Sequence, residues 1–274
     1  MERSRLLAVA QAERARLGRT IQYAAPESWD AASPCEDWRN RDVLAHLAAQ
    51  EIAAVQVVRG GEAEEFAAFR DANGGDFWVD GFNEFAVRLR ADHPTRSVLE
   101  DWGRAADLLL DDLARIPAAD WNGLRVPWVA GEIGVRYLVQ SRIVEWWLHG
   151  EDVREGSDLE RNPQQDAVFL VNDMAVRMLP WALGRAERSF PGRTVRVDLD
   201  GVGGGTWTWA LAARETPDPD RKPDAFIQGR ATAFASVAGR RLSAGAFLDA
   251  GDLVLGGDEE IALTVLELLR AFVD

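Results

Sequence analysis

The stretch 142-RIVEWWLHGEDVR-154 combines the marks of a buried helix with residues that can do chemistry. Glu145 and His149 stand four apart, so on a helix they share one face with Cβ atoms about 6 Å apart. Trp146, Trp147 and Leu148 make the segment apolar on more than one side, which places it inside a bundle rather than on its surface. A carboxylate without a partner is costly there. A cation shared by Glu145 and His149 would relieve that cost, while a solvated Glu–His pair closed across one turn is the plainer reading of the same spacing.

Outward from this segment, apolar residues recur at three and four over 4–25, 41–58, 79–91, 96–116, 134–153 and 164–186. The helix expected over 96–116 carries Leu99, Trp102, Ala106, Leu109, Leu110 and Leu113 on one side. The period breaks at ERSFPGR (187–193) and gives way to alternation: Val195, Val197 and Leu199, the turn DGVGGG, then TWTWALA, a β-hairpin signature. A short strand at 225–228, a helix near 231–240, a strand at 252–255 and a helix at 259–273 follow. The fold class is therefore all-α followed by α+β, with a helical domain over 1–189 and a small α+β domain over 190–274.

At 274 residues the chain buries a sizeable core without staples, and its single cysteine, Cys35, rules out an intramolecular disulfide or a Cys-rich zinc ribbon. The charged N-terminus lacks the apolar run of a signal peptide, and no later stretch reads as a membrane span, so a cytoplasmic location is expected. A net charge of -14, spread along the chain, argues against nucleic acid as a partner. One lysine, Lys222, among the 31 basic residues reflects coding bias more than guanidinium chemistry.

There are three histidines. His46, in NRDVLAHLAAQE, sits among Leu44, Leu47 and Ala48; alone it reads as a core histidine, and with Glu145 and His149 it completes a His2Glu set that leaves a fourth metal position open. His93, before Pro94, reads as a surface or capping residue. Asp152 shares the face of Glu145 and His149, as a group orienting an imidazole, an extra ligand, or a surface carboxylate at the helix end. Cys35 is followed by two acids, which disfavour a thiolate, and reads as a packed structural residue. No phosphate-binding glycine motif is present, and GVGGG belongs to the hairpin turn.

SPCEDWRNRDVLAHLAAQE resembles the signature of the mycothiol-dependent maleylpyruvate isomerase family, a Cys-x-x-Trp turn before a helix with Asp-x-x-x-His-Leu. VEWWLHGEDVREG resembles its second signature, Glu-x-x-x-His-Gly-x-Asp. The resemblance implies a DinB-like four-helix bundle holding a divalent metal, usually zinc, through His46, Glu145 and His149, followed by a sterol-carrier-like α+β domain. It also implies mycothiol as a thiol cosubstrate, its sulfur at the open metal position as thiolate, for isomerisation or S-transfer on a small electrophilic substrate. By the same resemblance Arg240 or Arg241, in VAGRRLSAG, receives acidic substrate groups, and Asn83 and Arg88, in FNEFAVRLR, either line the cleft or are helix-surface residues. A metal-dependent hydrolase using bound water is the competing enzyme reading, and a small-molecule-binding protein with a structural metal the competing non-enzyme one. The oligomeric state is left open by these motifs.

Overall fold

The computed structural model describes residues 1–129, 131–218 and 221–272. They form two compact units, Met1–Asn162 and Pro163–Phe272.

The first unit is a four-helix bundle of α1 (Arg3–Tyr23), α2 (Asn40–Val58), α5 (Thr95–Arg115) and α6 (Val135–Glu155). Helix α2 packs on α5 and α1 on α6, with α2 also against α6 and α1 against α5, so the four close a square. The periodicity of α5 translates into a buried stripe of Val98, Trp102, Ala106, Leu109 and Leu113; Val98, rather than the half-buried Leu99, begins it. Full burial of such side chains contributes roughly 1.5–3 kcal/mol each. Helix α2 starts sharply because Asp42 accepts the backbone N–H of Arg39 (3.0 Å), the reciprocal half of a capping box, and so the Asp that precedes His46 by one turn fixes the helix that carries it. The glycine after His149 also has a packing reason. A Cβ on Gly150 would lie 2.9 Å from a guanidinium nitrogen of Arg16, which reaches in from α1 to bond Glu13 (2.7 Å) and Glu151 (2.8 Å).

Between α2 and α5 lie α3 (Glu64–Ala72) and α4 (Val79–Leu89), and before α6 an antiparallel hairpin of β1 (Arg125–Trp128) and β2 (Gly131–Gly134). Periodicity alone misses α3 and the hairpin, since nine and four residues are too short to show a period. They are held by an aromatic cluster in which Phe66 meets Phe82 edge-on at 4.6 Å and Trp128 at 5.6 Å.

The second unit begins earlier than the expected boundary at 189/190. Helix α7 (Gln165–Arg185) belongs to it, not to the bundle: Asn172 bonds the carbonyls of Gly203 (3.4 Å) and Ala231 (3.2 Å), and Asp173 accepts from Trp207 (3.1 Å). This helix also corrects the expectation that no segment has membrane-spanning length. An 18-residue window of it has mean hydropathy 1.2 and is 67% buried inside the protein. The sheet runs β4-β3-β5-β6, built from β3 (Thr194–Asp200), β4 (Gly205–Ala210), β5 (Ala225–Arg230) and β6 (Leu253–Gly257), with β3 parallel to β5 and the other pairs antiparallel. Val195, Val197 and Leu199 face the core as their alternation requires, and the β3–β4 turn uses Gly201 and Gly203 at φ of 74° and 80°. Helices α8 (Ala231–Ala238), α9 (Ala244–Asp249) and α10 (Glu259–Glu267) complete it. Helix α9 was not expected, and α10 stops six residues short of the expected end at 273.

Candidate metal centre

Helices α2 and α6 bring His46, Glu145 and His149 together. Glu145 Oε2 lies 3.3 Å from His46 Nε2 and 3.2 Å from His149 Nε2, and the two imidazole rings meet edge to face at 5.1 Å. These separations match the edges of a tetrahedral coordination shell with metal–ligand distances of about 2.0–2.1 Å, which are about 3.3 Å long. By contrast, Asp152 Oδ2 stands 2.9 Å from His149 Nδ1, the length of a charge-assisted hydrogen bond. His149 Nδ1 is thus placed to donate to Asp152, and Nε2 faces Glu145. Asp152 is in the position of an orienting group.

The electrostatics agree with this division. Burial opposes the charge on His149, but hydrogen bonds with Asp152, Cys35 and Glu145 outweigh it and hold the imidazole well above its ordinary pKa. Burial likewise opposes the charge on Glu145, and hydrogen bonds with His149 and His46 overcome it, holding the carboxyl well below the usual range. His46 is lowered, chiefly by burial, and its buried Nδ1 has no partner among the described residues. The cluster therefore offers one anionic oxygen and a neutral imidazole, while the other imidazole must give up a proton when a cation binds.

A second layer lies behind Glu145. Arg142 places one guanidinium nitrogen 3.8 Å from Glu145 Oε1 and another 3.4 Å from Glu51 Oε1, and its guanidinium carbon lies 5.1 Å from the centre of the Trp128 ring. Glu51 is fully buried, accepts from Trp146 Nε1 at 2.7 Å, and leaves Oε2 without a partner among the described residues. Burial pushes its carboxyl up to about 7, against the pull of Arg142 and Trp146. The native state therefore keeps a proton that the unfolded chain has already released above pH 4.5. The contribution of Glu51 to stability is therefore expected to be full below about pH 4.5 and to be lost as pH rises through 7, by roughly 3 kcal/mol in all. Glu51→Gln, neutral throughout and still able to accept from Trp146, is expected to flatten that decline when urea unfolding is followed at about pH 5 and about pH 8.

The rim is formed by the turn at 33–38 and by α4. Trp38 lies 5.3 Å from the His46 ring and donates to Glu84 at 2.7 Å; Gln50, one turn beyond His46, donates to Asn83 at 3.3 Å. Asn83 thus meets the helix that carries His46 through Gln50, whereas Arg88 is exposed on α4 one turn past Glu84. Arg240 and Arg241 belong to the second unit, in the turn after α8, where Arg240 adopts φ 56° and Arg241 bonds the Gly239 carbonyl at 2.6 Å. His93 is exposed past the end of α4, and its carbonyl accepts from Arg41 (2.9 Å), in keeping with a role outside the chemistry.

Cys35 corrects its sequence reading. The adjacent acids Glu36 and Asp37 are exposed, and the thiol faces the cluster, 3.3 Å from Asp152 Oδ2 and 3.8 Å from His149 Nδ1. Glu51, Arg142 and Trp146 are likewise absent from the sequence reading of the site, because only the packing of α2 on α6 brings them together.

A relative found in two strains of Mycobacterium tuberculosis, an uncharacterised protein, is 24% identical over 201 residues, 73% of this chain and 74% of its own length. Two crystal structures of mycothiol-dependent maleylpyruvate isomerase share the fold. One, of a histidine-to-alanine mutant, has a TM-score of 0.62 at 11% identity, covering 94% of this chain and 95% of its own. The other has a TM-score of 0.60 at 12% identity, covering 88% and 90%. Residues 10–154, more than half of the sequence, match the model of the mycothiol maleylpyruvate isomerase N-terminal domain, and the chain belongs to that family.

Proposed function

We propose that the chain is an enzyme that uses one divalent ion, held by His46, Glu145 and His149, together with mycothiol, to isomerise a small electrophilic substrate or transfer sulfur to it. The observation that carries this reading is the convergence of two imidazole Nε2 atoms on one Glu145 oxygen at tetrahedral-edge distances. Two imidazoles and one carboxylate suit zinc and leave one position for a small molecule. A dication bound there stabilises thiolate over thiol and so keeps a nucleophile available near neutral pH.

The chain's own residues supply orientation. Asp152 holds the proton on His149 Nδ1 and keeps Nε2 turned toward Glu145. Arg142 faces Oε1 of Glu145 and leaves Oε2 to the two imidazoles. The Glu145 side chain is 17% exposed, so the donor set is open to a small molecule. The roles of Arg240 and Arg241 toward acidic substrate groups, and of Asn83 and Arg88 toward the thiol, rest on the family resemblance.

Calorimetry tests the reading. Mycothiol is expected to bind saturably to metal-loaded protein and not to chelator-stripped protein; no binding to the loaded protein would overturn it.

A further inference from the structure

We propose that Cys35, Asp152 and the Nδ1 atom of His149 form a second metal site, on the opposite side of the His149 ring from Glu145, selective for soft divalent ions such as Cd2+. One sulfur, one nitrogen and one oxygen converge there, all within 4.8 Å of one another: Sγ–Nδ1 is 3.8 Å, Sγ–Oδ2 3.3 Å and Nδ1–Oδ2 2.9 Å. Tetrahedral Zn2+, with a sulfur ligand at about 2.3 Å and nitrogen and oxygen ligands at about 2.0–2.1 Å, requires edges of about 3.6 Å to sulfur and about 3.3 Å between nitrogen and oxygen, and the larger Cd2+ requires each edge to be longer. The sulfur edges are already within a few tenths of an ångström of the Zn2+ value. The Nδ1–Oδ2 contact must open as the ion takes the place of the hydrogen-bonded proton, further for Cd2+ than for Zn2+.

The thiol is placed by its turn rather than by chance packing. Ser33 and Trp38 close residues 33–38 with a 2.9 Å backbone hydrogen bond, Ser33 Oγ accepts the Cys35 N–H at 3.1 Å, and Ala32 bridges Arg39. Cys35 is half-buried while His149 and Asp152 are buried, so the sulfur is the donor an incoming ion meets first. A thiolate donor selects soft over hard ions. Binding releases two protons to solvent, one from Sγ and one from Nδ1, and forms three metal–ligand bonds.

This site does not depend on the function proposed above, but the two share His149. An ion on Nδ1 draws electron density from Nε2, so each ion weakens the binding of the other, and by linkage the coupling is the same in both directions.

Cd2+ titration of the chelator-stripped protein, followed through the ultraviolet thiolate-to-metal charge-transfer band, tests the proposal. The wild type is expected to develop the band with one Cd2+ per Cys35. Asp152→Asn is expected to require at least about tenfold more Cd2+, in the range found when groups around a metal are removed. His46→Ala, which breaks only the His2Glu set, is expected to keep the band. Cys35→Ser is expected to lose it yet still bind Zn2+, as calorimetry would show, if the His2Glu set is also a site. Cd2+ binding to the wild type without the band would overturn the proposal. So would a band saturating at one Cd2+ per two chains, which indicates bridging between cysteines of separate molecules, or a band unmoved by Asp152→Asn. Failure of the His2Glu reading appears separately, as loss of Zn2+ binding in Cys35→Ser with the Cd2+ band of the wild type intact.

Discussion

His149→Ala is expected to lower divalent-metal affinity by well over a hundredfold, beyond the ~10–100-fold typical of losing a group that merely orients a ligand. It removes a donor at 3.2 Å from Glu145 and also takes away the ring nitrogen that faces the Asp152 carboxylate at 2.9 Å. His46→Ala is expected to cost less. Among the described residues its Nδ1 has no partner, so no second carboxylate orients its ring as Asp152 does that of His149; the ring meets Glu145 through Nε2 and packs against Trp38 and His149. Competition with a chromogenic chelator measures both. Equal affinities for His149→Ala and wild type would remove His149 from the ligand set. The pH dependence has a defined sign: His149 holds its proton more tightly than a free imidazole, and a cation must displace it, so metal affinity falls as pH is lowered.

Arg142→Met is expected to be the most destabilising single change in the bundle, by about 3–5 kcal/mol near neutral pH, the cost of leaving buried charge uncompensated. Glu51 and Glu145 both face this guanidinium, at 3.4 and 3.8 Å, and neither has another cationic side chain within ion-pair distance among the described residues apart from the histidines beside Glu145. Part of the loss is recovered as pH is lowered, because Glu51, whose carboxyl Arg142 pulls down in the wild type, takes up a proton more readily once the guanidinium is gone. Denaturant unfolding at two pH values measures both effects. Metal affinity is expected to fall by about 10–100-fold as well, because Glu145 Oε1 loses the group that faces it. An Arg142→Met variant as stable as wild type at pH 8 would show that the guanidinium does not balance these carboxylates.

What could be read from the sequence follows the range of the interactions. The turn from Glu145 to His149 is local, and four residues of helix suffice to place both side chains on one face. His46 joins them only through the packing of α2 on α6, which the spacing of one helix does not contain and which the family resemblance implied. Cys35 was misread because its neighbours in sequence, Glu36 and Asp37, are exposed, while the carboxylate it meets lies 117 positions away. The same limit moved the domain boundary. The apolar repeat of α7 is equally good for a bundle or for a sheet, and Asn172 and Asp173, polar residues within it, are the ones that tie it to β4 and its turn.

His46 and Glu145 are 99 positions apart in the chain, and their side chains meet at 3.3 Å. An ion bound between them would act as a reversible crosslink closing a long loop, in a protein whose single cysteine cannot do so covalently. The gain grows with free metal as RT ln(1 + [M]/Kd), so the melting temperature of the bundle is itself a gauge of how much metal surrounds it. The ion placed for chemistry would then also tie the N-terminal half of the bundle to α6.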